Sequence, residues 1–260
     1  QLHGSEPGAL HRIELPSRPF LDEVGADPGC LRIAFSTMAP SGQPTHPDCS
    51  AAVIKAIQLC ENLGHCVEEK MLDYEWESFL RAFSDHWSLL VLNTIDKLEK
   101  NSGKSAGPDT MESSSLAIRA YAQSLTPERI NAFFAQLYAI GFQIEQFFTD
   151  WDILISPVCL TPAPPLGALD GNADNLTVER WTDQGVSNFA PFTPVFNCGG
   201  QPSMSVPLYH SAEGLPVGVM CTARVGDEAT LFRLAAQFEQ ACPWIDRHPP
   251  VGLFTHGSGR

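Results

Sequence analysis

Between Leu31 and Leu72 two short apolar runs flank a single amphipathic stretch, and that order constrains the fold more than any other feature of the chain. Leu31-Arg32-Ile33-Ala34-Phe35-Ser36 suits a buried strand. Pro44, Pro47 and Asp48 open the next element. Proline is tolerated in a first helical turn, and an aspartate there faces the positive end of the helix dipole. Val53, Ala56, Ile57, Cys60 and Leu63 recur at spacings of three and four, the mark of one helix face, and Gly64 ends it. Cys66 to Leu72 reads as a second strand. Strand, helix, strand over about 40 residues is a βαβ unit, so the two strands are expected parallel, joined by a right-handed crossover.

The remaining elements extend that unit into a layered α/β fold. Tyr74 to Lys100 reads as a long helix, and residues 101–115 as a polar, mobile loop. Thr126-Pro127-Glu128 is a helix start. Ile130, Phe133, Phe134, Leu137, Ile140, Ile144, Phe147 and Phe148 follow as one broad apolar face, read as core. Trp151 to Val158 is a buried strand. Residues 159–200 form a long segment rich in Pro, Gly and Asn, with a little helix near Leu176 to Asn188, and loops of that length usually carry function. Pro202 to Leu208 and Pro216 to Ala223 read as two strands joined at Ala212-Glu213-Gly214. Asp227 caps a last helix that Pro243 stops. The expected fold class is α/β, a mixed sheet with helices on both faces. Residues 1–29 are expected as an extended arm or linker, residues 30–250 as one domain and residues 251–260 as a tail.

Composition narrows the function. The formal net charge is −14, which repels nucleic-acid phosphates and anionic lipid headgroups, so neither is expected as a main partner. A homo-oligomer is left open. No apolar run reaches the roughly 18–20 residues that a membrane span needs, and Gln1 to Leu10 has no apolar core of a signal peptide. The eight cysteines are scattered without a CxxC, so reduced thiols and a cytoplasmic location are expected, with a disulfide or two left open. Gln1 rather than Met opens the chain, which is expected to be processed or cut from something longer.

A search for self-contained chemistry finds little. Cys60, His65 and Cys66 cross a helix end without a second ligand pair, which argues against zinc. HExxH and GxSxG are absent, and Gly199-Gly200 is too short for a phosphate cradle. Asp150 and Asp152 read as a solvated helix end, and His86 as a satisfied helix histidine. Cys198, in the long segment, needs a nearby base or a helix N-terminus to act as a nucleophile, and the sequence offers neither.

The stretch from Asp152 onward carries a family likeness. Asp-Ile-Leu-Ile-Ser-Pro-Val-Cys-Leu-Thr-Pro-Ala-Pro-Pro-Leu-Gly (152–167) resembles a late strand and Pro-rich loop of the amidase signature family. Phe192-Thr193-Pro194-Val195-Phe196-Asn197-Cys198-Gly199-Gly200-Gln201-Pro202 through Pro207, Gly214 to Met220 and Gly226-Asp227-Glu228 resemble its following blocks, in order. The segments around Leu31–Ser36, His46–Cys49 and Cys60–His65 are similar to the part that follows the family's catalytic core. The likeness covers residues 17–250 or so and is to the C-terminal half, in the manner of bacterial amidases of the 6-aminohexanoate cyclic dimer hydrolase type.

That resemblance implies hydrolysis of carboxamide C–N bonds, on linear or cyclic small-molecule amides, without metal or cofactor. It implies an attacking serine, a second serine in a cis peptide, and a buried neutral lysine as base. In the family these lie in a Gly-Gly-Ser-Ser-Gly-type segment and an upstream lysine. This chain contains no such segment. Ser113-Ser114-Ser115 lacks the glycines. Lys97, Lys100 and Lys104 fall in a polar helix end and loop, Lys55 reads as solvated on a helix, and Lys70 lies on a strand beside Glu68 and Glu69. None is in a family-like context, so no catalytic residue is carried over. The chain is expected to be inactive unless the N-terminal half is supplied. Candidate substrate-pocket residues are Phe83, Trp87, Phe189, Phe192, Asn197, Cys198 and Gln201, each also readable as packing. The alternative is a non-catalytic binding or partner protein, or a degenerate gene product, on the same scaffold. A half-domain is expected to expose an apolar patch above the roughly 300–600 Å² of an ordinary monomer.

Overall fold

The computed structural model describes Ile13 and residues 15–247. Residues 1–12 and 14 of the expected N-terminal arm and the whole expected tail lie outside the described residues.

Five strands form one sheet: β1 (Arg32–Phe35), β2 (Cys66–Glu69), β3 (Ile153–Pro157), β4 (Ser203–His210) and β5 (Pro216–Ala223). Their order is β2-β1-β3-β5-β4. β1 runs parallel to both β2 and β3, with Arg32 opposite Cys66 and Ile33 opposite Ile153. β5 runs antiparallel to β3 and β4. The mixed sheet therefore has the parallel pair and the antiparallel pair that the sequence pattern predicts. Gly218 on β5 leaves room for a neighbour, since a Cβ there would collide with Ser205 Oγ of β4 and crowd Val158.

The helices are α1 (Pro47–Asn62), α2 (Trp76–Ser102), α3 (Ser113–Gln123), α4 (Pro127–Asp150), the short α5 (Val178–Thr182) and α6 (Phe196–Gly199), and α7 (Glu228–Ala241). A π-turn, Asp183–Ser187, extends α5. Their starts follow from capping. His46 Nδ1 accepts from Asp48 N at α1, Thr126 Oγ1 accepts from Arg129 N at α4, and Asp227 Oδ1 accepts from Thr230 N and Oγ1 at α7.

Because side chains alternate across a strand, the sheet feeds two cores. Ile33, Ile153, Ile155, Val219 and Cys221 pack with Val53, Ile57, Leu234 and Phe238 of α1 and α7. Ala34, Leu154 and Met220 point the other way, against Phe79, Phe133, Ile140, Ile144 and Phe196 of α2, α4 and α6.

Three expectations need adjustment. β2 stops at Glu69, although Leu72 is buried. α3 begins at Ser113, inside the stretch read as loop, so the polar connection is residues 103–112. Phe134, read as core, is 52% exposed, while its neighbour Phe133 is 3% exposed.

Part of the expected arm packs on the domain. Phe20–Asp22 form a 3-10 turn, the Phe20 ring lies 5.4 Å from that of Phe232 on α7, and the buried Glu23 carboxylate accepts from Arg18 and Arg233. Those two guanidinium groups hold the Glu23 carboxyl down at about 2.

Candidate functional site

α2 and α4 each carry a second apolar stripe beside the one that faces the sheet. On α2 it runs Phe83, Trp87, Leu90, Thr94 and Leu98. On α4 it runs Phe134, Tyr138 and Phe142, which are 52%, 81% and 57% exposed. Residues three and four apart share a helix face, so each stripe is continuous. Between them lies an open cleft of about 1440 Å³, closed at one end by α6 and at the rim by Met111, Glu112 and Ser115.

α6 reaches the cleft because of three glycines. Gly141 of α4 lets the Cys198 carbonyl approach to 3.3 Å of where a Cβ would stand. The Gln201 amide fills the place of a Cβ on Gly199. Gly200, at φ 77°, supplies the left-handed residue that ends the helix.

Four of the seven sequence candidates converge here: Phe83, Trp87, Asn197 and Cys198 all line the cleft. Phe83 and Trp87, ring centroids 5.3 Å apart and edge to face, are also the wall of a second cavity of about 240 Å³ on their far side, bounded by Ile118, Val178 and Trp181. The other three candidates sit elsewhere. Phe192 is buried and borders a void of about 30 Å³ beside Tyr74 and Ser156, room for a single water. Phe189 is half-buried, and its carbonyl accepts from Leu160 N. Gln201 is buried, and its amide has no hydrogen-bond partner among the described residues. Sequence reasoning missed Leu90, Phe134 and Tyr138. The spacing of Phe134, Tyr138 and Phe142 was a visible signal of a second apolar face.

The electrostatics of the cleft do not favour attack on a carbonyl. Burial pushes the Cys198 thiol up to about 12, so it is a neutral group. The His86 ring lies tilted beside both the Phe133 and Phe134 rings, at 5.7 and 5.6 Å, and burial lowers its pKa, so it stays an uncharged imidazole. Among the described residues, no hydrogen bond joins Ser115, Cys198 or His86 to a side chain that could serve as base, and no lysine lines the cleft. Lys55 is exposed over the Tyr209 ring at 4.6 Å, and Lys70 is exposed just past the end of β2. Cys60, His65 and Cys66 form no metal cluster among the described residues. His65 Nδ1 accepts from Leu31 N, and Nε2 is hydrogen-bonded to Gln237. The arrangement can hold an apolar or aromatic group against Trp87 and the α4 rings, with the Asn197 amide at one end.

Beneath the cleft, polar groups brace the helices. The buried Asp85 carboxylate of α2 accepts from Tyr121 Oη of α3 at 2.6 Å and from Arg129 Nε of α4 at 2.8 Å.

A family model described as Amidase matches residues 3–232. The chain is 29% identical to the 6-aminohexanoate-cyclic-dimer hydrolase of Paenarthrobacter ureafaciens, over 95% of this chain and 51% of that protein. It is equally 29% identical to the hydrolase of the same name from Pseudomonas sp. strain NK87, again over 95% and 51%. The solved structure of a 6-aminohexanoate cyclic dimer hydrolase complexed with substrate superposes with a TM-score of 0.82 at 28% identity, over 95% of this chain and 52% of that one. A bacterial aryl acylamidase shares the fold, with a TM-score of 0.71 at 18% identity. The chain thus spans about half the length of the curated relatives it matches, their C-terminal half.

Proposed function

The chain belongs to the amidase family, and on that premise we propose that it is the substrate-holding half of a hydrolase of carboxamide C–N bonds. In this reading the cleft between α2, α4 and α6 holds the acyl part of the substrate against Phe83 and Trp87. The nucleophilic serine pair and the neutral lysine come from a segment outside these 260 residues. Alone, the chain binds but does not cleave. The observation that carries this reading is a roomy apolar cleft in which Cys198 is a neutral thiol and, among the described residues, neither it nor Ser115 is hydrogen-bonded to His86 or to any other side chain able to take its proton. Its support from relatives is the likeness to cyclic-dimer hydrolases, which the chain matches over half their length.

Desolvation explains why the missing parts matter. An amine becomes a base only where burial disfavours its charged form, and the exposed Lys55 and Lys70 lack that setting.

The test is to read the gene in frame upstream of Gln1. A Gly-Gly-Ser-Ser-Gly-type segment with an upstream lysine is expected. The protein that includes it should release amine from small carboxamides, lose that activity when the upstream lysine becomes Ala, and show a KM raised about tenfold in Trp87→Ala. If no such segment is encoded, the reading fails. A non-catalytic binding protein on the amidase scaffold, which the absence of an activated nucleophile among the described residues also fits, then takes its place.

A further inference from the structure

Two exposed thiols meet at the N-terminal edge of the parallel pair, away from the cleft. Cys30 lies two residues ahead of Arg32, and Arg32 stands opposite Cys66 at the start of β2. The two sulfur atoms are 3.6 Å apart, across 36 residues of sequence. Both cysteines are exposed, whereas Cys49, Cys60 and Cys221 are buried.

The backbone beside the pair is pinned on both sides. Leu31 N donates to His65 Nδ1 at 3.2 Å, and Cys66 N donates to the Leu31 carbonyl at 2.9 Å. His65 is itself fixed, since its N donates to the Cys60 carbonyl and its Nε2 is hydrogen-bonded to Gln237 of α7. Residues 31 and 65–66 therefore cannot drift apart without losing buried hydrogen bonds. Two sulfurs held this close need a further approach of about 1.5 Å to reach the S–S bond length of about 2.05 Å. Reaction within such a pair is intramolecular and outpaces capture by a second small thiol.

We propose that Cys30 and Cys66 form a reversible dithiol–disulfide site that reacts with low-molecular-weight disulfides and, when oxidised, staples the β1-α1-β2 crossover. One thiolate attacks a sulfur of the small disulfide. A mixed disulfide forms, one small thiolate leaves, and it takes up the proton that the cysteine gave up. The second cysteine, as thiolate, then attacks the protein sulfur of the mixed disulfide. The Cys30–Cys66 bond forms, and the second small thiolate leaves and takes up the second proton. The protein loses two electrons and two protons, and one small disulfide becomes two thiols. The closed loop contains the whole of α1, so the bond restricts the unfolded chain over that span.

The probe is oxidised glutathione added to the full, folded 260-residue chain, with dithiothreitol as the reverse reagent. Thiol titration should fall by two per chain, peptide mapping should find Cys30 joined to Cys66, and Tm should rise by about 5–10 °C. Dithiothreitol should return all three readings. Cys30→Ser and Cys66→Ser, both at exposed positions, should each stop at a stable glutathione adduct on the remaining cysteine, with Tm unchanged. A wild-type chain that accumulates the adduct without the cross-link would overturn the proposal, as would a linkage to another cysteine or a Tm that does not rise on oxidation.

Discussion

The two helical layers use the same kind of apolar sequence in different ways. α1 and α7 turn one stripe onto the sheet, where Val53, Cys60, Leu234 and Phe238 are fully or almost fully buried. α2 and α4 bury a stripe as well, through Phe79, Ile140 and Ile144, but carry a second that faces outward through Trp87, Leu90, Phe134, Tyr138 and Phe142. A helix needs one apolar stripe to dock on a sheet. A second stripe on each of two neighbouring helices marks a surface kept for something else. The closed layer holds the fold together, and the open layer holds the cleft.

Substitutions in the two stripes of the same helices should differ most. Ile144→Ala, on the buried stripe of α4, is expected to cost about 3–4 kcal/mol, while Tyr138→Ala on the outward stripe should stay within about 0.5 kcal/mol. Urea titration checks this through the midpoints, at an unchanged slope. Equal costs would break the distinction between the stripes. Gly141→Val tests how α6 is seated. Its side chain would press on the Cys198 carbonyl, and a loss of about 1–3 kcal/mol is expected, with weaker ligand binding in the cleft.

Asp85→Asn should cost about 1–2 kcal/mol by loosening Tyr121 and Arg129, whose guanidinium is half exposed and so only partly desolvated. Thermal melts in which α2, α3 and α4 report a lower transition would sharpen the idea that polar ties brace the open layer. The closed layer has its own tie in Glu23. Its carboxyl titrates near 4.5 when unfolded but near 2 when folded, so its contribution is whole above about pH 4.5 and fades as pH falls toward about 2. The melting difference between the chain and Glu23→Gln should shrink across that window, and a difference that holds constant would remove Glu23 from the account. Smallest in stability, Phe134→Ser with Tyr138→Ser should change folding by less than about 0.5 kcal/mol per site. The same pair should sharply reduce binding of an apolar dye such as ANS.

Much of this was legible in the sequence where period and capping agreed. Val53 to Leu63 and Ile130 to Phe148 announced α1 and α4, Asp227 announced α7, and the parallel and antiparallel pairings followed from the order of elements. The beginning of α3 was hidden because Ser113 to Ser115 are weak helix formers, and Glu112 makes no side-chain cap that sequence could flag. Phe134 was read as core because the helix has apolar residues on two faces, and periodicity does not say which face meets the sheet. The cleft was half legible. Phe83, Trp87, Asn197 and Cys198 were found, but the α4 rings and Ser115 come from elements distant in sequence, and Gln201 and Phe192 lie beneath the surface beside them.

The central proposal is that the cleft receives the acyl part of a carboxamide while the described residues place no group there to cleave it. Amine release from linear and cyclic 6-aminohexanoate dimers by the purified chain tests it most directly. The account predicts none above buffer. Turnover that follows the chain through purification and disappears in Ser115→Ala would contradict it.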